Sequence, residues 1–239
     1  MNENSRESRN DKDISRELIR ILRTYKGDRK QALKEHVRLD YLYALSDQRE
    51  NLVEWYPFRG DGCLLEAGSG YGALTGVYSR KVAHVDVLDE SEENLEVNRL
   101  RHVELGGREN IRYVKGNIRG QREDGPKYDY IVFAGSLGEN AAEEIRAAKA
   151  LLTPGGEILA AACNPFGLKY WAGAEKDPYS FSKEALIRLL SETGDGRDME
   201  FYYPMPDYRI PVTIFSDQYL PGKGDLTDTV TAYDYPGYL

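Results

Sequence analysis

A chain of 239 residues, 41% hydrophobic and 30% charged, has the material for one large folded domain and too much apolar content for a disordered tract. Its net charge of −8, from 32 basic and 40 acidic residues with no basic stripe, argues against a nucleic-acid partner. No apolar run of about 18 residues is present to insert into a membrane, the polar stretch Met1 to Asp13 lacks a signal-peptide core, and the two cysteines, Cys63 and Cys163, offer neither a disulfide framework nor a metal-ligand spacing, so a cytoplasmic protein without a metal site is expected.

The first 13 residues read as a frayed tail. Apolar residues at Ile14, Leu18, Ile21, Leu22 and Tyr25 then predict a helix, Val37, Tyr41 and Leu45 a second over residues 31–45, and residues 47–55 a third. Pro57 and Gly60-Asp61-Gly62 close this helical preface. From Cys63 onward short apolar runs alternate with helical stretches. Strands are predicted at residues 63–66, 84–88, 111–115, 128–134 and 157–163, with a turn at Thr153-Pro154-Gly155-Gly156. Helices are predicted after Gly72, over residues 91–105 with Ser91 as N-cap, from about Asn140, and over residues 182–193. Strands near residues 199–203 and 211–215 would complete a seven-stranded, mostly parallel, doubly wound α/β sheet. The domains expected are a tail and helical cap (1–58), a catalytic domain (59–221) and an irregular tail (222–239).

The strongest local signal is Glu66-Ala67-Gly68-Ser69-Gly70-Tyr71-Gly72, between a strand and a helix. Glycines let backbone bend tightly and approach a ligand, and the carboxyl edge of an open α/β sheet is where ligands bind. Gly68-x-Gly70-x-x-Ala73 also fits a dinucleotide fingerprint, and three glycines could serve only a tight turn. Asp89, about twenty positions on at the end of the second strand, is placed to accept ribose hydroxyls.

Taken together, these residues resemble the class I S-adenosylmethionine-dependent methyltransferases with their Rossmann-like fold. The resemblance implies that Glu66 serves the cofactor's ammonium, that Gly68, Ser69, Gly70 and Gly72 carry its methionine part, and that Asp89, followed by Glu90, holds the ribose. Gly116-Asn117-Ile118 matches the pair after the third strand, with Asn117 beside the adenine and Ile118 giving it backbone and apolar surface. The fourth strand, ending at Ala134-Gly135, and Leu151-Leu152-Thr153-Pro154-Gly155-Gly156 also fit, with Ala134 a further cofactor contact. The acidic residue before the first glycine and the Gly-Asn pair argue against a nicotinamide dinucleotide.

For the acceptor, the loop from Asn164 through Phe166, Lys169, Tyr170 and Trp171, together with Tyr208, gathers aromatics, an amide and a lysine. Asp207, His36 and Tyr170 are the candidate catalytic groups. The nucleic-acid methylation motif is not found after the fourth strand, where the chain reads Ala134-Gly135-Ser136-Leu137. The segments 45–58, 164–174 and 207–217 resemble bacterial methyltransferases associated with cell-surface polysaccharide synthesis. That likeness implies O- or N-methylation of a small-molecule or glycan-linked acceptor, and is compatible with glycosyltransferase association and with a homodimer. Protein methylation, or a non-catalytic module keeping the fold, stays open.

Overall fold

The computed structural model describes residues 3–171, 173–192 and 199–224; the proposed tail from 225 onward lies outside them. Five strands form one parallel sheet: β1 (Cys63–Ala67), β2 (His84–Asp89), β3 (Ile111–Lys115), β4 (Tyr128–Ala134) and β5 (Leu152–Ala161), in spatial order β3-β2-β1-β4-β5. Strands are added to one side of β1 as far as β3 and to its other side from β4, so the carboxyl ends of β1, β2 and β4 frame a crevice.

The seven-stranded expectation is corrected. β6 (Tyr202–Met205) and β7 (Thr213–Ser216) pair only with each other, antiparallel, as a separate two-stranded ribbon. Pro204 lies inside β6 and has no N–H to give a ladder, which suits it to a short edge ribbon and not to a sheet interior.

The two faces of the sheet divide its residues by the two-residue period of a strand. Leu64, Val85, Val87, Tyr130 and Val132 pack with Leu74, Val77 and Tyr78 of the segment entering and forming α4 (Thr75–Lys81). Leu65, Ala67, Leu88, Ile131 and Phe133 pack against α6 (Ala141–Leu151) through Ile145, Ala148 and Leu151. α5 (Glu92–Arg99) starts as expected, with Ser91 Oγ accepting from the Asn94 N–H at 3.2 Å, and continues as a wider π turn over Leu100–Glu104. α8 (Lys183–Glu192) follows a four-residue turn of helix, α7 (Leu168–Trp171).

The cap consists of α1 (Glu3–Thr24), α2 (Arg29–Glu35), α3 (Leu39–Leu45) and a 3-10 turn (Asp47–Leu52). Ile14, Leu18, Leu22, Tyr41 and Leu45 bury themselves with Val97 and Leu100 of the α5 segment. Helix α1 begins well before the first apolar repeat. The polar residues there include Glu, Arg and Lys, which favour helix without any buried face. The single helix expected over residues 31–45 is two helices, broken at His36 to Arg38. The turn expected at Thr153 to Gly156 is instead a bulge inside β5, where the pairing jumps from Tyr128–Leu152 to Tyr130–Glu157 and Gly155 takes φ +79°.

Candidate functional site

The glycine loop leaves β1 with Gly68, Gly70 and Gly72 at φ +75°, +53° and +73°, a region that side chains with a Cβ rarely enter. The three are not equivalent. A Cβ on Gly68 would collide with Ser136, and one on Gly72 with the buried Asn98, whereas one on Gly70 would meet no protein atom. Gly68 and Gly72 are therefore required by the fold, and Gly70 faces open space where a ligand can approach the backbone. The loop is tied sideways by the Gly68 N–H to the Leu88 carbonyl at 2.8 Å.

Behind the loop lies a buried polar chain. The Tyr113 hydroxyl donates to Asn98 Oδ1 at 3.1 Å, Asn98 Nδ2 to Thr75 Oγ1 at 2.8 Å, and Thr75 Oγ1 to Glu66 Oε2 at 2.5 Å. Burial pushes the Glu66 carboxyl up to about 8, outweighing the Thr75 bond, and the nearby Asp89 charge adds to it. Glu66 is thus a largely protonated acid at neutral pH, poised to ionise when a cation arrives.

Asp89, only 8% exposed at the end of β2, accepts from the Gly70 N–H (2.8 Å) through Oδ2, and from the Ser91 N–H (2.9 Å) and Asn94 Nδ2 (3.2 Å) through Oδ1. Burial nevertheless raises its pKa above the usual carboxylate value. Oδ2 keeps a lone pair for a ribose hydroxyl; using Oδ1 as well requires Asn94 to yield. Asn117 spends its side chain on local structure: Oδ1 takes the Gly120 N–H at 3.0 Å and Nδ2 donates to Glu90 at 2.6 Å. Ile118 is buried beside Leu88 and Leu137, and Ala134 ends β4 half-buried. The Ser69 hydroxyl makes only a long contact, 3.4 Å, to the Gly70 carbonyl.

After β4 the segment Gly135-Ser136 connects the two halves of the crevice. Ser136 Oγ donates to the Ala67 carbonyl at 2.5 Å and packs on Gly68, while Gly135, at φ +85°, leaves room for the Tyr208 hydroxyl. Around Tyr208 the structure gathers Lys169, Asp207 and Tyr170 from the expected set. Lys169 Nζ reaches Asp207 Oδ2 at 2.9 Å and Cys163 Sγ at 3.2 Å, and the Arg209 N–H donates to Asp207 Oδ1 at 2.8 Å. Burial alone would pull the Lys169 ammonium down; the Asp207 carboxylate outweighs it and holds the ammonium above its ordinary value. Burial also raises the Tyr208 phenol, which stays neutral.

Other candidates sit apart from this group. Phe166 and Trp171 are 69% and 79% exposed. Asn164 Oδ1 closes its own turn by accepting from the Phe166 N–H at 3.0 Å. His36 ends α2, with its ring packed edge-on to Tyr25 and Tyr41, both cap residues.

Sequence reasoning missed Arg49, Arg209 and Cys163. Arg49 comes from the 3-10 turn of the cap and lies over the Tyr208 ring, 5.9 Å from its centroid; its Nε is buried with no hydrogen-bond partner among the described residues. Burial lowers its pKa. The buried Tyr78 hydroxyl, whose charge would be felt by both Glu66 and Arg49, also has no partner among the described residues. Arg49 gave no local signal, because only the docking of the cap brings it to Tyr208, which is far away in sequence.

Residues 64–156 match the family model described as a methyltransferase domain. No curated protein matches the sequence. Among solved structures, the YcgJ protein of Bacillus subtilis superposes with a TM-score of 0.51 at 16% identity, covering 69% of this chain and 78% of that one. A methyltransferase candidate from Bacillus halodurans C-125 superposes with a TM-score of 0.52 at 15% identity, covering 80% of this chain and 86% of that one. At such identities the two structures speak for the fold.

Proposed function

We propose that the chain transfers a methyl group from S-adenosylmethionine to a hydroxyl or amine of a small-molecule or sugar-linked acceptor, a reading supported by the match of residues 64–156 to a methyltransferase domain. The observation that carries this reading is the shared wall at Gly135-Ser136, which touches the glycine loop on one side and Tyr208 on the other. A ligand that reaches from Gly70 along this wall would approach Tyr208 and the Lys169–Asp207 pair.

The residues present fit the cofactor. Gly70 leaves backbone uncovered, Asp89 has acceptor capacity for a ribose hydroxyl, and two groups lack the partners that an amino-acid moiety would bring. Glu66 holds a proton it would release to face an ammonium, and Arg49 has a buried N–H that would take a carboxylate. When bound, the cofactor supplies a methyl already activated on a sulfonium, so the protein's work is alignment, water exclusion and removal of the acceptor's proton.

Asp207 is assigned the proton-accepting role, with Lys169 pairing with it and orienting it. Tyr208, neutral and buried, would orient the acceptor through its hydroxyl. The cap covers this side through Asn51 Nδ2, which donates to the Pro211 carbonyl at 2.9 Å, and through Tyr43, under the Arg209 guanidinium at 5.3 Å. Beyond Pro211 a groove of about 740 Å³, lined by Trp55, Tyr202 and Tyr219, gives flat ring faces suited to the rest of a ring-bearing acceptor.

The test uses methyl-labelled S-adenosylmethionine with purified chain and pools of small sugars, sugar phosphates and amines. Label in a low-molecular-weight product supports the reading. Label found only in protein overturns the acceptor class.

A further inference from the structure

A second cavity, of about 230 Å³, lies between the cap and the α4 and α5 layer. Its wall holds Lys26, Arg29, Arg80, Arg101 and Arg108 against a single carboxylate, Glu50. In a chain whose overall charge is −8, this is a strong local excess of the opposite sign.

The excess is only partly consumed inside the protein, where Arg80 also lies 3.5 Å from Glu54. Glu50 is engaged by Arg80 at 2.5 Å, and Asp47 by Arg29 Nη2 at 2.6 Å. Arg101 is 6% exposed; its Nη1 donates to the Ala44 carbonyl at 2.6 Å and reaches the Tyr71 carbonyl at 3.5 Å. Its Nε and Nη2, and Nη1 of Arg29, are buried with no hydrogen-bond partner among the described residues. His102 adds no charge of its own: Nε2–H donates to the Gly72 carbonyl at 2.7 Å, and burial, with Arg101 beside it, drives its pKa down to about 3.

We propose that this cavity is a binding site for a phosphate-class dianion, either inorganic phosphate or the phosphate of a small monoester. Three orphaned donors on two guanidinium forks match an anion that presents several oxygens at once. A carboxylate would leave most of the charge uncompensated, and leaving buried guanidinium N–H groups unmatched is costly. The site is separate from the cofactor crevice, although Arg101 and His102 reach the loop carbonyls from behind.

The test needs neither cofactor nor acceptor, so its outcome is independent of the methyl-transfer reading. Thermal unfolding of the full chain is followed with inorganic phosphate, with glycerol phosphate, and with chloride at matched ionic strength. Phosphate is expected to raise the midpoint by several degrees over chloride. A larger rise with glycerol phosphate identifies a monoester, and a larger rise with inorganic phosphate identifies the free ion. Calorimetry on Arg108→Ala, at the rim of the cavity, is expected to show phosphate bound at least about tenfold more weakly. Arg101→Met is expected to abolish the response; should it fail to fold, the rim variant decides. Equal midpoints in phosphate and chloride, or an Arg108→Ala affinity equal to that of the parent, would overturn the proposal.

Discussion

The two halves of the crevice are built differently. On the proposed cofactor side the ligand-facing elements are the loop backbone and Asp89, backed by one buried hydrogen-bonded chain, and nearly all of it comes from residues 66–98 with Tyr113. On the proposed acceptor side the groups are mainly side chains, drawn from the segment after β5 (Lys169, ion-paired with Asp207) and the loop after β6 (Asp207, Tyr208, Arg209) against Gly135 at the end of β4, with Arg49 of the cap lying between the two halves. A rigid backbone cradle suits one invariant ligand. A constellation of side chains from separate segments can be rebuilt one residue at a time, which suits the role of acceptor choice proposed for it.

That contrast can be broken, beginning where the expected effect is largest. Asp207→Asn should lower turnover by about 10²–10⁴-fold while the affinity for S-adenosylhomocysteine stays unchanged; equal loss in both would show that the two halves are not separable. Asp89→Ala should do the reverse at the cofactor half, weakening the same ligand by about 1–3 kcal/mol in calorimetry, since a ribose hydroxyl is left unpaired.

The glycine loop sharpens the comparison from within. Gly68→Ala and Gly72→Ala meet protein and should lower both the unfolding midpoint and cofactor affinity. Gly70→Ala meets no protein atom and should cost the fold only about 1–2 kcal/mol for its left-handed backbone, yet its Cβ occupies ligand space. Near-parental stability with lost binding is the expected signature, and retained binding would move the ligand elsewhere.

The smallest effect concerns a proton. With Glu66 at about 8 in the folded chain against an ordinary 4.5, the folded state keeps a proton that the unfolded chain has lost. Its contribution to stability is present in full below pH 4.5 and is lost as pH rises through 8. Glu66→Gln should therefore flatten the fall in unfolding midpoint between those values. In the parent chain, cofactor binding at pH 7 should release protons, seen as a calorimetric enthalpy that changes with the buffer's ionisation heat; a buffer-independent enthalpy would contradict the assignment.

Much of this molecule was legible before any coordinates. Alternation of short apolar runs with helical periodicity located the first four strands of the parallel sheet closely, with β3 and β4 at their observed bounds, whereas the start of β5 was hidden by the Thr153–Gly156 bulge that reads as a turn. Ser91 announced its cap, and Gly68, Gly70, Gly72 and Asp89 stood out because one contiguous turn must satisfy both chain reversal and ligand approach. The sixth and seventh strands were misplaced because periodicity says that a segment is extended but not what it pairs with. Pro204 was the available hint that it would remain outside the sheet.

What the sequence determined by itself is therefore the local part: where strands end, which turns need glycine, and which carboxylates follow them. Those depend on backbone sterics and periods within a few residues. What only the tertiary structure decided is the pairing of charges across long separations. Arg49 over Tyr208, Lys169 on Asp207 and the unmatched Arg101 beside Arg29 arise from packing of the cap and loops onto the sheet. A charged residue looks the same in sequence whether it ends in water or in a low-dielectric crevice, and only burial decides which of them must find a partner or a ligand.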